Sequence, residues 1–310
     1  MLAAITCHFN PIEYDNIVRN YWMFREDLQG TVDLFTIELS FSDKFQIDDA
    51  KKITARPDQI MWQKECLLNA LIKQLPHKYD KVAWLDADIL FHDKNWVEAA
   101  EKKLDEVPLI QLFEFAYDTD SQLDLIKKTP GIIHGGMNPI EAKPGYAWAA
   151  RREVLDRIPL LDTHIMGGAD TMMFYASIGM FNTFMLSRTN IEWRRSYLKW
   201  GAKFYREIQG KIACIPGDIT HLYHGTYADR QYVERWLILS RNKYTPEEDV
   251  RPDKNGMWEW ASDKPELHRD VYQYFEDRKE DEVWIARKAK SVEASKDVTE
   301  VPTNPPQPSA

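Results

Sequence analysis

The run Lys81-Val82-Ala83-Trp84-Leu85-Asp86-Ala87-Asp88-Ile89-Leu90-Phe91 decides how this chain is read. Its apolar residues predict a buried strand, and two carboxylates one residue apart stand within it. Burying two anions at that spacing is costly unless a cation neutralises them. Hard divalent ions such as Mg²⁺ and Mn²⁺ take carboxylate oxygens in this way, so Asp86 and Asp88 are candidate metal ligands. The plainer alternative is a strand running into an exposed, Asp-rich turn.

Outward from this run, strands and helices alternate. Residues 2–7 form a short apolar run that ends at His8-Phe9-Asn10-Pro11, and residues 12–28 carry Ile17, Val18, Tyr21, Trp22 and Phe24 at helical spacing. Residues 32–39 predict a second strand, and residues 59–75 a helix with Met61, Leu67, Leu68, Leu71, Ile72 and Leu75 on its apolar side, closed by Pro76. Beyond the two aspartates, residues 95–104 predict a helix and 109–115 a strand. Residues 129–144 form a Gly/Pro-rich loop around His134-Gly135-Gly136, and 146–150, 183–186 and 219–223 are further short strands. Alternation of this kind implies a mainly parallel sheet, whose ligands bind beyond the carboxyl ends of the strands. Asp86 and Asp88 sit at such an end. Residues 1–287 are expected to form a single domain; residues 288–310, rich in Lys, Ser, Glu and Pro, are expected to be a disordered tail.

Composition bounds the function. The 310 residues are 44% hydrophobic and 29% charged, ordinary globular values that allow a sizeable core. A formal net charge of -9 argues against a nucleic-acid partner. Cys7, Cys66 and Cys214 lack metal-ligand spacing and read as small buried residues in a reducing compartment. No stretch approaches the length of a transmembrane segment, and Met1-Leu2-Ala3-Ala4-Ile5 lacks the basic start of a signal peptide. The expectation is a soluble, cytoplasmic protein.

Three further stretches line up with the aspartates: Gly145-Tyr146-Ala147-Trp148-Ala149-Ala150-Arg151-Arg152, Gly167-Gly168-Ala169-Asp170 and His221-Leu222-Tyr223-His224-Gly225. Taken with Trp62-Gln63-Lys64-Glu65 and Leu67-Leu68-Asn69, this order resembles the metal-dependent glycosyltransferases of the GT-A fold, in particular their inverting galactosyltransferase-like and family 2-like group. The likeness extends over about residues 1–240. It implies an α/β, Rossmann-like fold with a mixed, mainly parallel sheet flanked by helices. It also implies transfer of a sugar from a nucleotide-sugar donor, with a UDP-sugar expected, to a hydroxyl of a glycan or other acceptor.

By the same resemblance the D-x-D aspartates hold Mn²⁺ or Mg²⁺ against the donor diphosphate. Asp88 is then the direct ligand, and Asp86 contacts the ion or the ribose. A late histidine completes the coordination, and His221 and His224 both fit; strand alternation lets one of them face a given side, and Gly225 favours His224. Gly168-Ala169-Asp170 matches the Gly and Asp of a Gly-x-Glu-Asp motif with Ala in place of Glu, which makes Asp170 the candidate base; its alternative role is capping the helix that follows. Thr6, His8, Asn10 and Asn69 are donor-binding candidates by analogy, although Leu68 stands where an Arg often precedes that Asn. Arg56 or Lys64 would meet the base or phosphate. Arg230 or Arg235 would meet the diphosphate, unless they belong to a solvated helix face. Trp148, Trp193 and Trp200 are candidates for stacking on sugars. Two other readings exist: a phosphatase of the HAD type, whose D-x-D lies nearer the chain start, and a non-catalytic sugar- or nucleotide-binding module.

Overall fold

Strand β1 (Leu2–Phe9), helix α1 (Asp15–Leu28), β2 (Asp33–Ser40), β3 (Lys51–Thr54), α2 (Lys64–Ile72) and β4 (Lys81–Leu85) set up the alternation that the apolar pattern predicts. They are followed by β5 (Ile89–Phe91), α3 (Trp96–Glu106), β6 (Leu109–Gln111), β7 (Phe115–Thr119), β8 (Leu125–Pro130), β9 (Ala147–Arg151) and α4 (Arg152–Arg157). Then come α5 (Ala169–Ser177), α6 (Phe184–Ser187), α7 (Ile191–Ile208), β10 (Ile212–Cys214), β11 (Asp218–His221), α8 (Glu234–Arg241), α9 (Pro246–Asp249), the hairpin β12 (Val250–Pro252) and β13 (Trp258–Trp260), and α10 (Pro265–Asp277). This computed structural model describes residues 1–138 and 141–284; the expected tail, 288–310, lies outside the described residues.

The main sheet runs β10-β6-β9-β4-β1-β2-β3. Every neighbouring pair is parallel except those involving β9, which is antiparallel to both β4 and β6. The α/β class with a mainly parallel sheet flanked by helices is therefore as expected. Successive side chains of a strand point to opposite faces, and both faces here are covered. Ala3 and Ile5 of β1, with Val82 and Trp84 of β4, join the core under α2, α5 and α7. Leu2 and Ala4, with Ala83 and Leu85, join the core under α3. A strand buried on both sides needs a continuous apolar run, which is why 81–85 reads as it does.

A smaller sheet, β5-β11-β7-β8, closes against the carboxyl edge of the main one. It arises because 81–91 is two strands rather than one: Asp86-Ala87-Asp88 is a turn, and β5 leaves the main sheet to pair with β11. The expected strand at 109–115 likewise divides between β6 and the start of β7, one in each sheet. The expected strand at 183–186 is instead the helical turn α6. Trp148 and Trp193 are fully buried, and Trp200 stacks on Phe204 at 4.8 Å, so all three serve packing rather than an open sugar face. Among the described residues no helix is long and apolar enough to cross a membrane.

One buried group makes the core sensitive to acid. His164 packs against the stacked pair Trp193 and Trp236, both 5.4 Å away centre to centre, and neither ring nitrogen has a partner. Burial, reinforced by the Arg235 charge, lowers its pKa to about 3. The unfolded chain takes up this proton near pH 6.5 and the folded chain only near pH 3, so stability is full above that window and falls as pH drops through it. Between pH 7 and pH 4.5 the wild type should lose about 2–3 kcal/mol more than His164→Phe, by linkage. Urea unfolding of both proteins at the two pH values measures this; equal losses would show that His164 does not titrate as described.

Candidate active site

The two carboxylates part at the turn after β4. Asp86 faces α2, whose first residue, the buried Lys64, places its ammonium 2.5 Å from Asp86 and 3.4 Å from Asp170. Burial raises the Asp86 carboxyl, against the pull of Lys64, to about 6. Burial alone would lower Lys64, but Asp170, Asp86 and Glu65 outweigh it and hold the ammonium well above its ordinary range. The neighbouring Glu65 is itself pushed up to about 8, chiefly by burial. Lys64 is thus the cation that the half-buried first aspartate requires, and it ties that aspartate to the candidate base.

Asp88 turns the other way, toward the smaller sheet. Its Oδ2 lies 2.8 Å from His224 Nε2 and 3.8 Å from His221 Nε2, and the two imidazole nitrogens are 3.3 Å apart. One ligand atom from each of the three residues falls within 4.8 Å of the others. Asp88 Oδ1 is buried without a partner. Burial opposes ionisation of Asp88, yet His224 and then His221 outweigh it and keep the carboxyl well below its usual range. Burial also lowers His221 to about 4, which leaves a neutral imidazole with a free lone pair. His221, at the end of β11, and His224, in the loop beyond it, both reach the same point because strand alternation ends between them. The expectation that one of the two would face the site is corrected accordingly. Gly225, at φ +95°, lets this loop pass close to the Arg278 carbonyl, where a Cβ would come within 2.8 Å.

Each histidine is backed by a carboxylate. His221 Nδ1 is 3.0 Å from Asp118 of β7, its register partner across the two strands. Asp118 in turn accepts from Lys143 at 3.0 Å, from the Tyr227 hydroxyl at 3.0 Å and from the Tyr146 hydroxyl at 3.1 Å. His224 Nδ1 receives the Arg230 guanidinium at 2.7 Å and lies 3.3 Å from Glu280. Carboxylates behind imidazoles are the usual outer partners of metal-bound histidine. The orphaned Asp88 oxygen, the two imidazoles and these outer carboxylates together fit a divalent cation. An ion on Nε2 of His224 would put the ring proton on Nδ1, where Glu280 would accept it only once the Arg230 guanidinium, itself a donor, had left that nitrogen.

Glu280 arrives from a strap, residues 278–284, that follows α10. Glu280 is ion-paired with Arg278. Asp281 accepts from the backbone amides of Asp15 and Asn16, in the first turn of α1, at 2.9 and 2.8 Å. The Glu282 carbonyl takes the Tyr223 hydroxyl at 2.8 Å, and the Trp284 carbonyl takes the Ser121 hydroxyl at 2.7 Å.

These groups line a cavity of about 690 Å³ beyond the ends of β1 and β4. His8, Lys64, Asp86, Asp88, Asp170, His221, His224 and Arg230 all border it. Four other candidates do not. The Thr6 hydroxyl donates to the Leu85 carbonyl inside the sheet, and Asn10 closes the turn before α1 through Tyr14. Asn69 is spent on Leu160 and Asp162, and Arg56 is exposed beside Asp58. Asp86 lies outside the Asp88–His221–His224 cluster and on Lys64, because a turn does not keep the two-residue period of a strand. Asp170 stands in the first turn of α5, where the helix is entered through Gly167 and Gly168 at φ +78° and +92°. Its carboxylate makes no cap and points to Lys64. Sequence reading missed Asp118 and Glu280, which no local motif marks.

No protein-family model matches the chain, and no curated protein sequence matches it. Solved structures similar to it include glycosyltransferases. Glucosyl-3-phosphoglycerate synthase from Mycobacterium tuberculosis, in complex with Mn²⁺, UDP and phosphoglyceric acid, is 13% identical with a TM-score of 0.43, over 81% of each chain. The catalytic domain of Drosophila β1,4-galactosyltransferase 7 with xylobiose is 13% identical with a TM-score of 0.35, over 57% of this chain and 60% of that one. TarS from S. aureus is 9% identical with a TM-score of 0.40, over 77% of this chain and 38% of that one.

Proposed function

We propose that this chain is a metal-dependent glycosyltransferase that moves a sugar from a nucleoside-diphosphate sugar, a UDP-sugar in the first instance, to an acceptor hydroxyl with inversion. The observation that carries this reading is the convergence of Asp88, His221 and His224 at one end of a cavity that also holds Asp170. Asp88, His221 and His224 would hold the ion, and two imidazoles in the set favour Mn²⁺ over the harder Mg²⁺. When bound there, the ion stabilises the charge that develops on the departing diphosphate. The support for Arg230 as a second diphosphate contact is its buried guanidinium beside His224. Asp170 takes the proton from the acceptor hydroxyl as that oxygen attacks the anomeric carbon. Lys64, 3.4 Å away, orients the Asp170 carboxylate. The same reading takes residues 1–287 as one catalytic domain, and its three free cysteines suit a cytoplasmic setting.

The test is release of nucleoside diphosphate from a panel of nucleotide sugars, with Mn²⁺ and with excess chelator. At least one sugar should turn over with Mn²⁺ and none in chelator. Nucleotide-sugar binding without turnover across acceptors of varied chemistry would point instead to a non-catalytic module, and turnover that ignores chelator would remove the metal from the reading.

A further inference from the structure

The cavity is basic in a chain whose net charge is -9: six basic side chains border it against four carboxylates. Most are paired. Lys64 serves Asp86 and Asp170, Lys143 serves Asp118, and Arg278 serves Glu280. Arg230, Arg235 and Lys127 have no carboxylate within ion-pair distance among the described residues. A divalent ion and a nucleoside-diphosphate sugar cancel one another's charge, so the excess outlasts the loading of a donor. Uncompensated charge in a concave site attracts a ligand of opposite sign.

Arg235 is the cation on the Asp170 side. Its guanidinium lies against the Gly167–Gly168 turn, so close that a Cβ on either glycine would come within 3.1 Å of it. That turn leads directly into Asp170. Tyr232 stands between this group and Arg230, its ring 5.0 Å from the Arg235 guanidinium carbon and 5.7 Å from that of Arg230. The polar neighbour of Arg235 is the Tyr274 phenol, and its Nε is buried without a partner.

Resting on the donor reading above, we propose that the acceptor is itself an anion: a hydroxyl compound bearing a phosphate or carboxylate, which Arg235 holds while the hydroxyl meets Asp170. A guanidinium binds both oxyanions through paired N–H donors. Because Arg235 is set apart from the metal cluster by Tyr232, the anion it binds belongs to the acceptor and not to the diphosphate.

Binding to the full-length protein saturated with Mn²⁺ and UDP tests this, using glucose 6-phosphate, gluconate and glucose as probes with one carbon skeleton and different charge. Calorimetry should detect at least one of the charged probes and not glucose; the tighter of the two charged probes identifies phosphate or carboxylate as the preferred group. Arg235→Gln should weaken that binding about 10- to 100-fold, the worth of one charge-assisted contact, and leave UDP affinity unchanged, while Arg235→Lys should restore part of it. Glucose binding as tightly as the charged probes, no charged probe binding at all, or unchanged binding in Arg235→Gln would overturn the proposal. A fall in UDP affinity in Arg235→Gln would also overturn it, by assigning Arg235 to the donor. If the wild type binds no UDP with Mn²⁺, the donor reading fails first and takes this one with it.

Discussion

Asp88→Asn is expected to lose Mn²⁺ binding and nucleotide-sugar turnover together while the fold remains. The substitution removes the carboxylate shared by two imidazoles at 2.8 and 3.8 Å, and with it the charge that makes the cluster attractive to a cation. Loss of outer partners alone typically costs 10- to 100-fold in affinity, so loss of this ligand should cost roughly 100-fold or more. Asp86→Asn is the control. Asp86 is ion-paired with Lys64 and lies outside the cluster, so its Mn²⁺ affinity should stay within several-fold of the wild type. Electron paramagnetic resonance of free Mn²⁺ measures both variants without reference to activity. Equal losses in the two would show that the aspartates act as one site after all.

Asp170→Asn is expected to bind donor and Mn²⁺ normally and to transfer sugar roughly 10²- to 10⁴-fold more slowly, the usual contribution of a general base. The amide keeps the size of the side chain and the turn at Gly167 and Gly168, but it cannot accept a proton. The transfer product of the wild type should carry the anomeric configuration opposite to that of the donor. Wild-type transfer rates in this variant, or a product of retained configuration, would take the base role from Asp170 and leave the metal cluster standing.

Much of the scaffold is legible because burial on both sides of a strand demands an unbroken apolar run. Residues 2–7 and 81–85 announce themselves in that way. The site is legible where chemistry is dense in the sequence, as at Asp86-Ala87-Asp88 and His221-Leu222-Tyr223-His224. What the chain conceals is direction. Periodicity assumes that a strand continues, so it aligns Asp86 with Asp88 and sets His221 against His224; the turn at 86–88 and the end of β11 reverse both inferences. Asp118 and Glu280 were invisible for a different reason. Each meets its histidine across 103 and 56 residues of chain, and each is a common residue in an unremarkable stretch. Only the pairing of β7 with β11 and the return of the strap bring them to the site.

The strap has a consequence for the chain as a whole. Glu280 backs His224 from a segment whose neighbour Asp281 fastens the start of α1. Ion occupancy and strap closure are therefore linked equilibria: an ion that binds only the closed form, at about 100 times its dissociation constant, adds roughly 2.7 kcal/mol to the cost of opening. Cleavage by a protease within 278–284 should slow on adding Mn²⁺, and a rate indifferent to Mn²⁺ would mean that the two are uncoupled. The strap thus reports whether the first step of loading has occurred, and a protease that cuts within it would sense the ion-loaded protein as the closed one.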